Sequence, residues 1–207
     1  MYQIIGTGST GNAAIYHGNI MVDCGTAFEP IAPYIKQIQL ILLTHAHGDH
    51  IKMTTLNRIM AERPSIRIGC CEWMTDFVKQ YPRNVDVYEI GKIYNYGAFS
   101  VSPIRLYHDV PNAGYRIFKG NHKTIHATDT AHLQGITAKG YDLFAIEHNY
   151  DADTVFDTIA RIEAAGGFAH QRGSINSHLS EQQAREFISA NRKESSVIVR
   201  LHETKTI

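Results

Sequence analysis

The chain has 207 residues, 43% of them hydrophobic, so we expect one well-packed domain spanning residues 1–207. Its 20 Lys and Arg side chains balance 20 Asp and Glu side chains, which gives no general electrostatic reason for tight binding to long nucleic acid. Cys24, Cys70 and Cys71 form a poor disulfide framework, and no signal-peptide or membrane-span pattern occurs. We therefore expect a cytoplasmic protein with no membrane partner.

Short β-rich runs dominate the first part of the chain. The predicted strands cover residues 3–5, 13–17, 20–24 and 40–43. Residues 6–11 match the letters of a dinucleotide-binding glycine loop, but that fingerprint requires a following helix, and residues 12–16 predict a strand. The loop is therefore predicted to be a glycine-rich hairpin whose backbone can approach a ligand closely. A helix is predicted over residues 51–62, with Pro64 marking its end.

Four possible metal ligands lie between the predicted strand at 40–43 and that helix. His45, His47, Asp49 and His50 occur within six residues. Zinc and similar divalent metals prefer imidazole and carboxylate ligands, and alternate residues at a strand end can point into one cavity. A single His-x-His would favour an ordinary polar loop, whereas this density favours a metal site.

A second group of strands follows the first helix. It is predicted at residues 66–70, 86–90, 99–106, 114–118, 123–127 and 141–146, with a hairpin at 119–121. An amphipathic helix is predicted over 153–165, a capping box at 180–183 begins the last long helix, and a strand is predicted at 196–201. This order is compatible with two sheets covered by helices.

The pattern His-x-His-x-Asp-His after a hydrophobic strand resembles the signature of the metallo-β-lactamase-fold hydrolases. The resemblance implies an α/β protein with a four-layer αββα sandwich in a single domain. It also implies motif positions for four polar residues that lie at or just after the ends of other predicted strands. Asp23 matches the first motif, and His108, Asp129 and His202 are placed as the third, fourth and fifth motifs.

The resemblance further implies a centre of two divalent metals, zinc as the first choice and manganese as the alternative. The implied ligands are His45, His47 and His108 for one metal, Asp49, His50 and His202 for the other, and Asp129 as a bridge. Asp23 is predicted to orient a ligand imidazole, with an ordinary turn aspartate as the competing interpretation.

His178 lies directly before the last capped helix. This ending resembles those of tRNase Z and of the small YycJ-like exonucleases, where the resemblance implies that the histidine protonates the leaving oxygen. A residue that merely begins a helix is the alternative. Residues 147–151 resemble a segment of the YycJ-like branch, so His148 is assigned to the pocket wall, and the roles of Glu147 and Arg172 stay open.

The residues around the motif favour one reaction. Residues 48–52 resemble the tRNase Z and YycJ-like versions, and Ala46 replaces the glutamate of the redox-active di-iron branch. We predict hydrolysis of a phosphodiester bond by a metal-bridging hydroxide, with Asp49, His178 and Asp23 as catalytic residues.

The predicted substrate is a nucleotide, a cyclic nucleotide or a short nucleic acid, because the size and motif set also resemble phage cyclic-nucleotide phosphodiesterases. A single-domain DNA or RNA exonuclease is the close alternative. A non-catalytic metal-binding or interaction module is the second alternative. Homodimerisation is expected from the family resemblance alone.

Overall fold

The computed structural model describes residues 1–169 and 171–202. Its contacts divide the chain into two compact units, Met1–Arg105 and Leu106–Ile207. Among the described residues, none of the helices combines the length and the hydrophobicity needed to cross a bilayer.

The first unit is built on a six-stranded mixed sheet with the strands in chain order. The strands are β1 (Tyr2–Gly6), β2 (Ala13–Tyr16), β3 (Ile20–Val22), β4 (Leu40–Leu43), β5 (Arg67–Cys71) and β6 (Val85–Tyr88). The first three pair antiparallel, and β3 to β6 pair parallel. All four residues of β4 are buried, as expected for an apolar strand inside a parallel sheet.

Helix α1 (Met53–Glu62) begins shortly after the histidine-rich segment. Its buried residues include Leu56 and Ile59, which belong to the same hydrophobic cluster as Ile41 and Leu43 of β4. This spacing places one apolar face of the helix against the sheet. The remaining elements of this unit are 3₁₀ turns at Ala32–Tyr34 and Glu72–Met74, helix α2 (Thr75–Val78), and strand β7 (Tyr94–Asn95), which pairs antiparallel with β8 (Ser100–Tyr107).

The second unit contains four adjacent strands in the order β12, β11, β10, β9. Their bounds are β9 (Pro111–Lys119), β10 (His122–Ala127), β11 (Leu143–Glu147) and β12 (Val197–Leu201). The first two form a hairpin in which Lys119 pairs with His122, whereas β10, β11 and β12 are parallel. The carboxyl ends of the three parallel strands therefore meet at one edge of the sheet, where α/β proteins commonly bind ligands.

Three helices complete the described part of this unit: α3 (Val155–Ala164), α4 (Gln171–Ser177) and α5 (Glu181–Asn191). Helix α5 begins with the predicted capping box. The backbone N–H of Gln183 donates to the Ser180 hydroxyl, and the backbone N–H of Ser180 donates to the Gln183 side chain. These two bonds satisfy two N–H groups that would otherwise lack partners at the helix start.

Most predicted elements occur within two or three residues of their predicted bounds. Strand β2 follows the glycine-rich loop, so rejection of the dinucleotide fingerprint was correct. The sequence analysis missed β7, α2 and α4, of which β7 and α2 are only two and four residues long. Helix α4 contains Gly173 and two serines, which have weak helical propensity.

Candidate metal centre

Three imidazoles of the segment after β4 lie side by side. His45 Nε2 is 3.2 Å from His47 Nδ1, and the ring centroids of His45 and His50 are 4.1 Å apart. Asp49 Oδ2 lies 3.7 Å from His50 Nε2. His45 and His50 are fully buried, whereas His47 and Asp49 are partly exposed. The first unit thus brings together the four predicted ligands of this segment.

Asp23, which follows β3, contacts the same group. Its Oδ2 lies 2.7 Å from His50 Nδ1, and its Oδ1 accepts a hydrogen bond from the backbone N–H of Thr44. The Asp23 carboxylate accepts the proton on His50 Nδ1, which leaves Nε2 of His50 as the nitrogen that binds a metal or, in this structure, accepts a hydrogen bond from the Asn12 amide. The geometry suits the predicted orienting role of Asp23, and that role stays a prediction.

Thr44 links this carboxylate to a second imidazole. Its hydroxyl oxygen lies 2.9 Å from Asp23 Oδ2 and 3.0 Å from His45 Nδ1. Because the hydroxyl has one proton and donates it to the carboxylate, its oxygen accepts from Nδ1–H of His45. His45 Nε2 then carries a lone pair, the form that binds a metal. Thr44 was not singled out by the sequence analysis.

Asn12 also contacts the segment and was missed from sequence. Its amide nitrogen lies 2.9 Å from His50 Nε2, 3.2 Å from the carbonyl oxygen of Asp49 and 3.3 Å from Asp49 Oδ2. Its own side-chain oxygen accepts from the backbone N–H of Gly8. The glycine-rich loop therefore positions Asn12 against residues 45–50, which we call the ligand segment. The one signal for Asn12 in the sequence was the prediction that this loop could approach a ligand closely.

Gly25 lets two stretches of backbone meet. A Cβ on Gly25 would lie 1.8 Å from the carbonyl oxygen of Asp49, so no other residue fits there without a shift. Next to it, the Cys24 N–H donates to the His50 carbonyl at 3.0 Å, and the Asn12 N–H donates to the Asp49 carbonyl at 2.7 Å. These backbone contacts fix the position of the ligand segment.

Trp73 also contacts Thr44. Its indole N–H donates to the carbonyl oxygen of Thr44 at 3.3 Å, and the Arg105 guanidinium lies 4.8 Å from its ring centroid. The indole is thus held between a cation and the backbone that leads into the ligand segment.

The second unit contains a cluster formed by residues that are distant in sequence. Donor atoms of Asp129, Glu147, His178 and His202 all lie within 4.8 Å of one another. Asp129 follows β10, Glu147 ends β11, and His202 follows β12, so three of the four lie at the carboxyl ends of parallel strands. His178 directly follows α4.

Glu147 connects two histidines of this cluster. Its side chain is fully buried, and Oε1 lies 2.5 Å from His178 Nδ1 and 3.0 Å from His202 Nδ1. Oε2 accepts the backbone N–H groups of Thr130 at 3.0 Å and Leu179 at 3.2 Å. A buried carboxylate needs such partners. The sequence analysis left the role of Glu147 open, although its place at a strand end was the signal that identified the other ligands.

His108 follows β8 and faces the bridging candidate Asp129. Its Nδ1–H donates to the carbonyl of Ser177 at 2.9 Å, and its Nε2 lies 3.9 Å from Asp129 Oδ2. Burial lowers the pKa of His108 below its ordinary value, although the charge of Asp129 opposes this. A lowered pKa keeps the imidazole neutral at pH 7, which is the state that ligates metals.

Three of the predicted site residues have a left-handed backbone conformation. Asp23, Asp129 and His202 have φ values of 60°, 56° and 50°, and His17 is the one other non-glycine residue with positive φ in residues 1–169 and 171–202. Such conformations cost on the order of 1–3 kcal/mol each and concentrate at functional sites. Each of these three residues lies within two residues of a strand end.

These residues fit divalent metals. In each unit, imidazole nitrogens and carboxylate oxygens converge, and hydrogen bonds to Nδ1 of His45, His50 and His108 leave Nε2 as the donor atom. Zinc and manganese accept this mixed set. Cys24 is fully buried, and burial together with Asp23 raises its pKa to about 12, which suits its interpretation as a small core residue.

Comparison with known families agrees with the fold. The model of the beta-lactamase superfamily domain matches residues 18–201. The chain therefore belongs to the beta-lactamase superfamily, and its fold and donor clusters define the class of metal-dependent hydrolases.

One of the relatives with a similar sequence is a nuclease. The chain is 24% identical over 173 residues to exodeoxyribonuclease YycJ of Bacillus anthracis, a match that covers 73% of this chain and 64% of that protein. The match thus spans less than two thirds of the relative's length.

Two solved structures share the fold. The metallo-beta-lactamase fold protein YhfI from Bacillus subtilis has a TM-score of 0.72 at 14% identity, with 100% of this chain and 87% of that chain covered. Human tRNase Z, short form, has a TM-score of 0.67 at 18% identity, with 99% and 93% covered. The predicted metallo-β-lactamase fold is confirmed.

Proposed function

We propose that the chain is a metal-dependent phosphodiesterase that hydrolyses a nucleotide, a cyclic nucleotide or a short nucleic acid. The observation that carries this proposal is the His178–Glu147 pair, because a histidine beside a buried carboxylate and among candidate metal ligands suits the role of proton donor. A phosphodiester needs such a donor because its leaving alkoxide departs poorly without a proton.

The proposed ligands are those that the motif positions imply: His45, His47 and His108 for one metal, Asp49, His50 and His202 for the other, and Asp129 as the bridge. The clustering within residues 1–105 and, independently, within residues 106–202 supports this set. When bound, zinc or manganese supplies a water of lowered pKa, about 7, and positive charge for the phosphoryl oxygens.

The protein's own residues would then position the metal ligands and protonate the leaving group. Asp23 holds His50 by Nδ1, so that Nε2 faces the ligand group. His178, whose side chain is 14% exposed, can reach a substrate, and it gives a proton to the leaving oxygen as the P–O bond breaks. Glu147 stabilises the cationic imidazole before that transfer, much as a buried carboxylate does in other acid–base pairs.

The test compares the hydrolysis rates of two phosphodiesters whose leaving groups differ in their need for a proton. In His178→Ala, hydrolysis of a dinucleotide, which releases an alkoxide, should fall by about 10²–10⁴. Hydrolysis of bis(p-nitrophenyl) phosphate should fall much less, because p-nitrophenolate leaves without a proton. His122→Ala, on the β9–β10 hairpin, is the matched histidine control. Equal losses on both substrates would contradict a proton-donating His178.

A single-domain exonuclease is the second candidate, favoured by the similarity to exodeoxyribonuclease YycJ. Parallel assays on cyclic nucleotides, single-stranded DNA, duplex DNA ends and RNA separate the two candidates. Release of mononucleotides from a DNA end, without opening of a cyclic nucleotide, would favour the exonuclease.

A non-catalytic metal-binding module is the remaining alternative. Tight metal binding, measured by elemental analysis after dialysis, together with no hydrolysis of any phosphodiester, would favour it. The same elemental analysis decides between zinc and manganese. Homodimerisation and a cytoplasmic location stay predictions, the first testable by light scattering after gel filtration.

A further inference from the structure

A groove in the second unit is lined by arginines and lies outside the metal-ligand cluster. It has a volume of about 290 Å³, near the lower end of the range for small-ligand sites. Its lining residues are His148, Arg185, Ile188, Ser189, Arg192, Ile198 and Arg200. The groove thus combines guanidinium groups with apolar side chains, in a chain whose formal net charge is zero.

Two guanidinium groups of this arginine groove share one acidic partner. The Glu181 carboxylate contacts both Arg185, at 2.7 Å, and Arg200, at 2.9 Å. Glu181 is thus a partner of both guanidinium groups, and Arg192 adds a third guanidinium group to the lining. The Arg185 and Arg200 side chains are 65% and 41% exposed, so these ion pairs are weak and can exchange for an anionic ligand.

The groove is also adjacent in sequence to two members of the ligand cluster. His148 directly follows Glu147, and Arg200 precedes His202 by two residues. Two extended residues span at most about 7 Å, so the groove begins close to the cluster. Within β12, Arg200 and Ile198 alternate with the buried Val199 and Leu201, and therefore project from the opposite face of the strand.

We propose that the arginine groove binds a single-stranded polynucleotide, at phosphates beyond the one that is cleaved. Planar guanidinium groups bind phosphate oxygens in a bidentate manner, and the apolar surface of Ile188 and Ile198 suits the face of a base or sugar. This inference rests on the proposed phosphodiesterase function and selects its substrate class, a strand rather than a cyclic nucleotide or mononucleotide.

The test uses the metal-loaded chain and a short phosphorothioate-linked oligothymidylate, with thymidine monophosphate as the small ligand. The double variant Arg185→Gln/Arg192→Gln is compared with Arg83→Gln, a matched change on an exposed loop outside the groove. Binding is measured by isothermal titration calorimetry at several salt concentrations, and folding is checked by circular dichroism.

We expect the double variant to lose about tenfold in its preference for the oligonucleotide over the monophosphate. The slope of log affinity against log salt should become shallower by roughly 0.7 for each lost phosphate contact. Arg83→Gln should keep both values. Equal preference in all proteins, or an unchanged salt slope in the double variant, would overturn the proposal.

Two further outcomes separate this inference from the proposed function. If the unaltered protein hydrolyses no phosphodiester but the double variant still loses oligonucleotide binding, the groove assignment holds and the proposed function fails. If the double variant loses binding to polyglutamate while keeping oligonucleotide affinity, the groove binds acidic peptides and the assignment to a polynucleotide is wrong.

Discussion

The two units assemble their candidate metal ligands in opposite ways. In the first unit, four candidate ligands come from one stretch of six residues, held by backbone hydrogen bonds from Asn12 and Cys24. In the second unit, each candidate comes from a different element, and a single buried carboxylate, Glu147, links two of them. A contiguous group depends on local backbone geometry, whereas a dispersed group depends on the register of three parallel strands.

The largest expected effect comes from removing one proposed metal ligand from each unit. In His50→Ala and His202→Ala, hydrolysis should fall to background while circular dichroism stays native, because each loses an imidazole nitrogen donor. Metal content per chain, measured after dialysis, should fall in both. Full turnover by either folded variant would show that its unit does not contribute to the centre.

The next largest effect is expected from changing Glu147 or Asp23, the two carboxylates that contact the imidazoles. We expect Glu147→Gln to lower metal affinity by about 10–100-fold, because its new amide N–H₂ faces either the imidazoles or the two backbone N–H groups. Asp23→Asn should lower it less, since Asp23 contacts one imidazole whereas Glu147 contacts two. Competition with a chromophoric chelator measures both. A larger loss in Asp23→Asn would reverse the ranking.

A smaller effect tests the backbone support of the contiguous group. Gly25→Ala should lower stability by about 1–3 kcal/mol and Tm by several degrees, because its Cβ would lie 1.8 Å from the Asp49 carbonyl oxygen. Gly48→Ala is the matched control, since its Cβ would meet nothing within 4 Å. Calorimetry should separate the two variants, and equal Tm values would contradict the close approach.

The smallest effect concerns the thiols, all three of which lie in the first unit. Burial raises the pKa of Cys24 and Cys70 to about 12 and that of Cys71 to about 11, so little thiolate exists at pH 7. A thiol reagent should therefore modify the native protein very slowly and the denatured protein at all three sites. Rapid modification of the native chain would show that this core opens.

The sequence was most informative where the signal is local. The apolar run of β4, the amphipathic spacing of α1 and the capping box at Ser180 each depend on near neighbours, and each was predicted. The residues 45–50 carry their own signal for the same reason. In contrast, His108 and His202 resemble ordinary loop residues without the family pattern.

The sequence analysis did not predict contacts between residues that are far apart in the chain. Asn12 reaches Asp49 across 37 residues, and Glu147 reaches His178 across 31. Such separations leave no periodicity or spacing to recognise, because they depend on how strands pair rather than on local preference. The strain at Asp129 is equally invisible, since aspartate is common in turns.

Trp73 offers a practical consequence. It is the only tryptophan of the chain, and its indole N–H bonds to the carbonyl of Thr44, next to the first histidine of the ligand segment. Its fluorescence emission therefore comes from a single position beside that segment. The unlabelled protein can be titrated optically, and a shift in emission would follow changes at the ligand segment without any attached dye.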